Sequence, residues 1–503
     1  MTNSSVERTG LRQAAPLLVP AFILLELFGG LVQGWIVPLL ETIGTHYRVG
    51  DGALNWVLTV GLLSSAVSVP LMTMLADRFG AKVLLVVCAA CTAIGSLLIA
   101  FAPSFPLLLI GVIVQGPVAA LLPLEMATLK HHRSQNAARI VGALVGTLTI
   151  GVALGALFGG TIMEWSGNLV LTQSVPAVGL AIITLVLLVA VPATPGDSRR
   201  SVDWWGALLL GLGVAGIMYG LANGPSAGWL APDALIPAAV GALALAAFVL
   251  VELRATTPLF DLALLRRIRL GVPLALGLLA AMVMFGSQTP MVLYLTASPE
   301  AAGYGAGVSP GAVGLIFAIT GISSSLGSFA TPLLRRALSV RTTVIIGTAI
   351  VTATMCVLAT GPGNAVFATA CFAVSWFALG ILLATMPGIV VERAPQESAA
   401  SISGIYNTGR TIGGSISGAV IATLMTVLTA ASAPAGADLA EVPAPFVAFQ
   451  LTFAFFALLG AVATVLAMRL RDRVPAGDAS TVEAPNTPDS PSTPNTPIAE
   501  EAL

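Results

Sequence analysis

The chain has 503 residues, of which 56% are hydrophobic and only 9% are charged, and its mean hydropathy is +0.95. No water-soluble domain carries that much apolar surface on its outside, so we expect lipid to be the main solvent. The net charge of -1 argues against a nucleic acid as partner.

Long apolar runs, separated by charged or Pro/Gly-rich breaks, recur along the chain. A transmembrane helix needs about 20 mostly apolar residues to cross roughly 30 Å of hydrocarbon. Fourteen runs meet this requirement, so the sequence predicts an all-α integral membrane protein. The predicted spans are 16–40, 53–75, 82–101, 106–129, 138–163, 169–191, 204–223, 233–252, 269–295, 310–334, 342–360, 365–391, 399–428 and 446–468.

The basic residues alternate between the predicted loops, and this alternation predicts the orientation. Cytoplasmic segments of membrane proteins carry an excess of Lys and Arg. With a cytoplasmic N-terminus, 20 of the 22 basic residues fall on the cytoplasmic side, the exceptions being Arg48 and Arg410. We therefore expect an even number of spans and both termini in the cytoplasm.

The loop after the second predicted span reads Leu-Ala-Asp-Arg-Phe-Gly-Ala-Lys from position 75. An acid at a tight glycine turn can cap the next helix and pair with basic neighbours. The loop resembles the cytoplasmic signature of the major facilitator superfamily, although Thr73 replaces the first glycine of that pattern. The resemblance implies a cytoplasmic gate formed by Asp77, Arg78, Gly80 and Lys82. The alternative is a charged turn that only fixes the orientation of the chain.

Glycines in the fifth predicted span match the spacing of the antiporter signature of this superfamily, with Ala156 where proline is usual. The matching residues are Gly142, Gly151, Gly155 and Gly159. The last three recur every four residues on one helix face, which allows another backbone to approach closely. An ordinary helix contact explains this spacing equally well, so only the resemblance implies an antiporter.

Three further segments, 203–206, 252–262 and 403–410, are similar to the fourteen-helix drug:proton antiporter branch. In that branch, two extra helices lie between two pseudo-symmetric six-helix bundles. The resemblance implies a cytoplasmic tail at 1–15, bundles at 16–191 and 269–470, and linker segments with the extra helices at 192–268. The last segment, 471–503, is rich in Pro, Ser, Thr and acids and is predicted to be a disordered cytoplasmic tail.

The first predicted span lacks the aspartate that is usual in the branch, because Gly29 occupies its position. Glu26 lies one turn earlier on the same helix face, about 14 Å into the span. A carboxylate near the middle of the bilayer is expensive, so Glu26 is our first candidate for proton coupling. The alternative is a protonated, hydrogen-bonded packing residue.

The fourth predicted span also departs from the pattern, because Val112 replaces an arginine that is usually linked to proton coupling. This replacement leaves the coupling ion open. Glu125, in the same span, is a second proton-coupling candidate. It precedes Lys130 by only five residues, so an ion pair at the level of the lipid headgroups is an equally good interpretation.

Several polar residues on otherwise apolar helices are candidates for the substrate pathway, although each could instead bond a neighbour. They are Gln33, Gln115, Gln288, Asn407 and Arg410. An interior with so few fixed charges suits amphipathic molecules, including cationic ones such as dyes.

Other classes of function are disfavoured by what the sequence lacks. Neither lysine follows a glycine as a phosphate-binding loop requires, which argues against an ATP-driven pump. Histidine is absent from every predicted span, and the four cysteines lie in apolar helices. We therefore expect no metal site, no cofactor and no enzyme active site.

The resemblance implies a secondary active transporter that exports small amphipathic molecules, such as a drug or an antibiotic, across a bacterial cytoplasmic membrane in exchange for protons. The two missing coupling residues favour the alternative, an uptake symporter or an uncoupled facilitator for a small metabolite. The expected partners are the substrate, protons and the lipid bilayer, and the chain is expected to act as a monomer.

Overall fold

The computed structural model describes residues 3–131, 137–194, 196, 203–228, 230–253, 270–361, 363–393, 399–434 and 442–470. Within these ranges the regular elements are α-helices and two 3₁₀ turns. The helices are α1 (Asn3–Trp35), α2 (Leu40–Tyr47), α3 (Asp51–Phe79), α4 (Ala81–Ala100), α5 (Phe105–Gln115), α6 (Leu121–His131), α7 (Ala137–Ser166), α8 (Leu169–Ala190), α9 (Trp204–Ala227), α10 (Pro232–Glu252), α11 (Gly271–Gly286), α12 (Gln288–Thr296), α13 (Pro299–Ala302), α14 (Pro310–Ala337), α15 (Val340–Thr360), α16 (Ala365–Arg393), α17 (Ala399–Ser432) and α18 (Phe446–Ala467).

The helices match the predicted spans closely. Thirteen segments of the described chain are long and apolar enough to cross a membrane. The remaining predicted span corresponds to α9, whose described apolar stretch, Trp204–Ile217, is shorter. The predicted fold class is therefore confirmed. These helices belong to one compact unit, Met1–Leu470, and the predicted tail from residue 471 lies outside the described residues.

Three of the predicted spans contain a break at or near a proline. Pro38 and Pro117 lie in the 3₁₀ turns that follow α1 and α5, and Pro290 lies in the first turn of α12, just after α11 ends. Proline lacks a backbone N–H and clashes with the preceding turn, so it favours an interruption of the α-helix. Hydropathy alone does not predict these breaks, because the prolines lie within continuous apolar runs.

The helices form two halves, α1–α8 and α11–α18, with α9 and α10 packed against each other between them in the chain. In the N-terminal half, α1 contacts α7 and α8, and α4 contacts α5 and α8. In the C-terminal half, α14 contacts α16, α15 contacts α18, and α11 contacts α17. The predicted boundaries of the two bundles stay predictions.

The halves meet along α3 with α17 and along α7 with α14. Asp51, the first residue of α3, accepts a hydrogen bond at 3.2 Å from the backbone N–H of Ala444, just before α18. Glu164, in the last turn of α7, accepts one at 3.2 Å from the hydroxyl of Ser309, just before α14. Both contacts lie at the end of the molecule that holds α2, here called the α2 end.

Candidate functional site

Two buried glutamates face each other where α1 contacts α6. Glu26 is 2% exposed and Glu125 is fully buried. The two carboxyl groups are close enough to interact with each other electrostatically. Oε1 of Glu26 and both carboxyl oxygens of Glu125 are buried and have no hydrogen-bond partner among the described residues. The structure thus brings the two proton-coupling candidates together at one site.

The position of Glu125 follows from a break in its span. Its span breaks at the 3₁₀ turn Gly116–Ala120, and α6 then carries Glu125 against α1. Five residues separate Glu125 from Lys130, whose side chain lies outside the described part of the structure. The alternative of an ion pair with Lys130 therefore stays a prediction.

The face of α1 that carries Glu26 continues through Gly29 to Gln33, in steps of three or four residues. A Cβ atom added to Gly29 would lie 3.6 Å from Leu121 and 3.7 Å from Val118, which is ordinary contact. Gln33 is exposed, although its neighbours along the helix are buried, and its amide donates to the carbonyl of Gly29 at 3.2 Å. This face therefore runs from the glutamate pair to a polar side chain that the protein leaves uncovered.

The antiporter-type glycines lie on the face of α7 that packs against α1. Cβ atoms added to Gly151 and Gly155 would overlap the carbonyl oxygens of Leu27 and Leu31, respectively. A Cβ atom on Gly159 would lie 2.7 Å from the carbonyl oxygen of Trp35. Glycines of α1 contribute in return, because Cβ atoms on Gly30 and Gly34 would overlap carbonyl oxygens of α7. Gly142 lies in α7, but its surroundings are outside the described residues.

A second glycine contact joins α7 to α14 of the other half. Added Cβ atoms on Gly160 and Gly314 would overlap the carbonyl oxygens of Pro310 and Ala156, respectively. Ala156, which replaces the usual proline, is buried in this contact. We call the two glycine contacts of α7 the α1 seam and the α14 seam. Through them, one helix links the glutamate-bearing span to the opposite half.

The loop between α3 and α4 packs against the segment that follows α8. Gly80 has a φ of 93°, and a Cβ atom there would overlap the carbonyl oxygen of Thr194. The backbone N–H of Lys82 donates to the Thr194 hydroxyl at 2.8 Å, and its ammonium donates to the carbonyl of Leu188 at 3.0 Å. Asp77 is exposed, and Arg78 lies over the Phe79 ring at 5.6 Å. The gating role of this loop stays a prediction.

Gln115 lies in a different place, beside a small cavity inside the N-terminal half. Its amide donates to the hydroxyl of Ser96 at 2.8 Å. The cavity has about 10 Å³ of water-accessible space, enough for roughly one water molecule. Buried donors of Trp35 and Gln173 line it and have no partner among the described residues. The cavity is too small for an organic substrate, and a place for Gln115 in the substrate pathway stays a prediction.

Sequence reasoning missed Trp35 and Gln173, which line this cavity. Gln173 is a lone glutamine in the sixth predicted span, and the rule that selected Gln33 and Gln288 would have selected it as well. The sequence did not indicate Trp35, because a tryptophan in an apolar run is normally interpreted as a packing residue.

Arg410 and Asn407 lie together on α17 in the C-terminal half. The guanidinium lies 6.0 Å from the ring centre of Phe285 and 5.9 Å from that of Tyr406. One of its nitrogens is 3.5 Å from the side-chain oxygen of Asn407. Gln288 is separate from this group, and its amide donates to the carbonyl of Met284 at 3.3 Å. The predicted pathway residues therefore fall into several separate places.

Comparison with known proteins gives a family for the chain. A family model described as Major Facilitator Superfamily matches residues 22–418. The structure is also similar to that of PepTSo, a POT family transporter, with a TM-score of 0.62 at 16% identity over 90% of this chain and 97% of that one. At this identity, the structural likeness shows the fold alone.

Two similar proteins carry names that refer to resistance. The chain is 24% identical over 405 residues to the Multidrug resistance protein Stp of Mycobacterium tuberculosis, covering 78% of this chain and 72% of that protein. It is 27% identical over 291 residues to the Methylenomycin A resistance protein of Bacillus subtilis, covering 55% and 62%, respectively. Matches to three Bacillus subtilis proteins span between 47% and 62% of the length of those relatives.

Proposed function

Because the chain belongs to the Major Facilitator Superfamily, a family of transporters and not of enzymes, we propose that it exports small amphipathic molecules in exchange for protons. The observation that carries this proposal is the buried pair of Glu26 and Glu125 between α1 and α6. Export of a drug or an antibiotic is further supported by the names of the two resistance proteins to which the chain is similar.

The glutamate pair suits a proton-binding role because of its charge and its surroundings. Two ionised carboxylates side by side repel each other, and burial away from water disfavours their charged forms. No ion pair within 4.0 Å joins either carboxylate to a cation among the described side chains. The pair therefore favours holding a proton, and it can release that proton when water or a cationic group reaches it.

The packing of the two halves supports transport by alternating access. The described contacts of Asp51 and Glu164 close the α2 end, while Gln33 on α1 remains exposed. In a carrier of this kind, a central space opens to one side of the membrane at a time. We assign this arrangement to a state that is closed at the α2 end, and export requires a second state in which that end opens.

A sensitive bacterial host tests the proposed export. Cells that produce the protein should accumulate less of at least one amphipathic drug or dye than cells without it, and should tolerate more of it. A proton uncoupler should remove the difference, because export against a gradient then loses its energy source. Greater accumulation in the producing cells would identify an uptake symporter. Equal accumulation in cells with and without the protein, both before and after the uncoupler is added, would identify a facilitator.

We also propose that the protein lies in the bacterial cytoplasmic membrane with both termini and the Asp77–Lys82 loop in the cytoplasm. The proposal rests on the distribution of 20 of the 22 basic residues. Reporter fusions after Pro103, between α4 and α5, and after Ala302, at the end of α13, should report a periplasmic location. A fusion after Leu338, between α14 and α15, is the cytoplasmic control, and a reversed pattern would overturn the orientation.

A further inference from the structure

Arg410 places a permanent positive charge inside the C-terminal half. It lies in the second described turn of the apolar stretch Ile405–Ser432, and its Nε is buried without a hydrogen-bond partner among the described residues. Among the described residues, Asn407 supplies the one acceptor within 3.5 Å of the guanidinium, so most of its five N–H donors have no partner in that part of the chain. The rings of Phe285 and Tyr406 attract the cation through cation–π contacts. These rings are neutral, so they do not balance its charge.

The helices around α17 offer no carboxylate at the level of Arg410. Gly414 packs against Leu62 of α3, so Arg410, one turn earlier, lies level with about residue 66 of that antiparallel helix. The acids of α3 are Asp51 and Asp77, each more than ten residues from that level, or over about 15 Å along the helix.

The other elements that contact α17 also lack a carboxylate at the level of Arg410. They are α9, α11, α16 and α18. α9, α11 and α18 contain no Asp or Glu, and the one acid of α16 lies in its last turn. Asp203, just before α9, lies beside Met74 of α3, about eight residues or roughly 12 Å along that helix from the level of Arg410. A guanidinium cannot lose its charge in a protein, so this cation lacks a counter-ion in the described part of the chain.

We propose that Arg410, with Asn407, binds an anionic group of the transported molecule, so that substrates combine a carboxylate, phosphate or sulfonate with an apolar body. This inference rests on the proposed transport function and narrows it to acidic substrates. A guanidinium binds such groups through two parallel N–H donors, and charge-assisted hydrogen bonds of this kind are strong. Phe285, which is only partly buried, gives an aromatic substrate body a surface to pack on. The anion also supplies the missing counter-charge when the space around Arg410 closes.

Matched probes that differ only in charge test the proposal on the purified full-length protein in lipid nanodiscs, without a proton gradient. The probes are naphthoate with naphthamide and naphthalenesulfonate with naphthalenesulfonamide. We expect the wild-type protein to bind the acids at least about tenfold more tightly than the amides. Arg410→Gln should remove this preference. Arg410→Lys keeps the positive charge but not the two parallel N–H donors of the guanidinium, so it should keep part of the preference.

Arg48→Gln is the matched control, because Arg48 is an exposed arginine beyond the end of α2. It should keep the full acid preference. Thermal unfolding and gel-filtration profiles establish that each variant is folded. If Arg410→Gln does not fold, the wild-type preference and the lysine variant still decide the matter.

Three results would overturn the proposal: no binding of either acid by the wild type, equal binding of acids and amides, or an unchanged acid preference in Arg410→Gln. The last result would indicate that Arg410 has a structural role and does not contact the substrate. Acids that bind through Arg410 but are not moved by a proton gradient in vesicles would support this inference while contradicting the proposed export.

Discussion

Replacing Glu26 by glutamine is expected to abolish transport driven by an imposed pH gradient in reconstituted vesicles. Glutamine keeps the size of the side chain and its ability to form hydrogen bonds, but it cannot bind and release a proton. Uptake of substrate against its gradient should fall to the rate of protein-free vesicles. Glu125→Gln should have a similar effect, because the two carboxyl groups form one buried pair.

Glu300→Gln is the matched control for this prediction, because Glu300 is an exposed acid in α13, away from the pair. It should transport at the wild-type rate. A rescue variant sharpens the test: Gly29→Asp in the Glu26→Gln background returns a carboxyl group to the same face of α1, where the structure has ordinary room for its Cβ atom. If Glu26→Gln still concentrates substrate when the proton gradient is imposed, Glu26 is a packing residue and the coupling site lies elsewhere.

Gly155→Ala is expected to destabilise the protein by about 1–3 kcal/mol, the usual cost of forcing extra atoms into a packed interior. The added methyl group would overlap the carbonyl oxygen of Leu31, so α1 and α7 would have to separate along their whole seam. Thermal unfolding followed by gel filtration in detergent should show a lower midpoint, and transport should fall with it because Glu26 lies on the displaced helix.

Gly146→Ala on the same helix is the control for this substitution. A Cβ atom on Gly146 would have no neighbour within 4 Å, and alanine is the better helix former by about 1 kcal/mol. This variant should therefore unfold at the wild-type temperature or slightly above it. Equal destabilisation by both substitutions would mean that α7 needs glycine for its own flexibility and not for the seam.

Hydropathy was sufficient to predict the helices because a membrane leaves few alternatives for the backbone. The predicted spans and the helices agree closely, with α9 shorter in its described apolar stretch. What hydropathy could not predict was where a span is interrupted. Pro38, Pro117 and Pro290 sit within apolar runs, and whether a proline breaks a helix or only bends it depends on its neighbours. Pro70, by comparison, lies inside the continuous helix α3.

The candidate site was only partly accessible to sequence reasoning. The glycine spacing of α7 correctly indicated a close helix contact, but the sequence did not identify α1 and α14 as its partners. The juxtaposition of Glu26 and Glu125 was also hidden, because it depends on the break at Gly116–Ala120 and on packing between residues ninety-nine positions apart. Periodicity predicts the face of a helix; it does not predict what that face meets.

The α14 seam of α7, which lies between the two halves, affects how easily the α2 end can open. Where backbone meets backbone at glycines, few side chains interlock, so helices can slide or part there without crossing rotamer barriers. The polar contacts of Asp51 and Glu164 across the halves are single hydrogen bonds that water can replace on opening. Breaking and re-forming the contacts at this end therefore costs little free energy. A carrier needs such reversible contacts, because it must open and close once in every transport cycle.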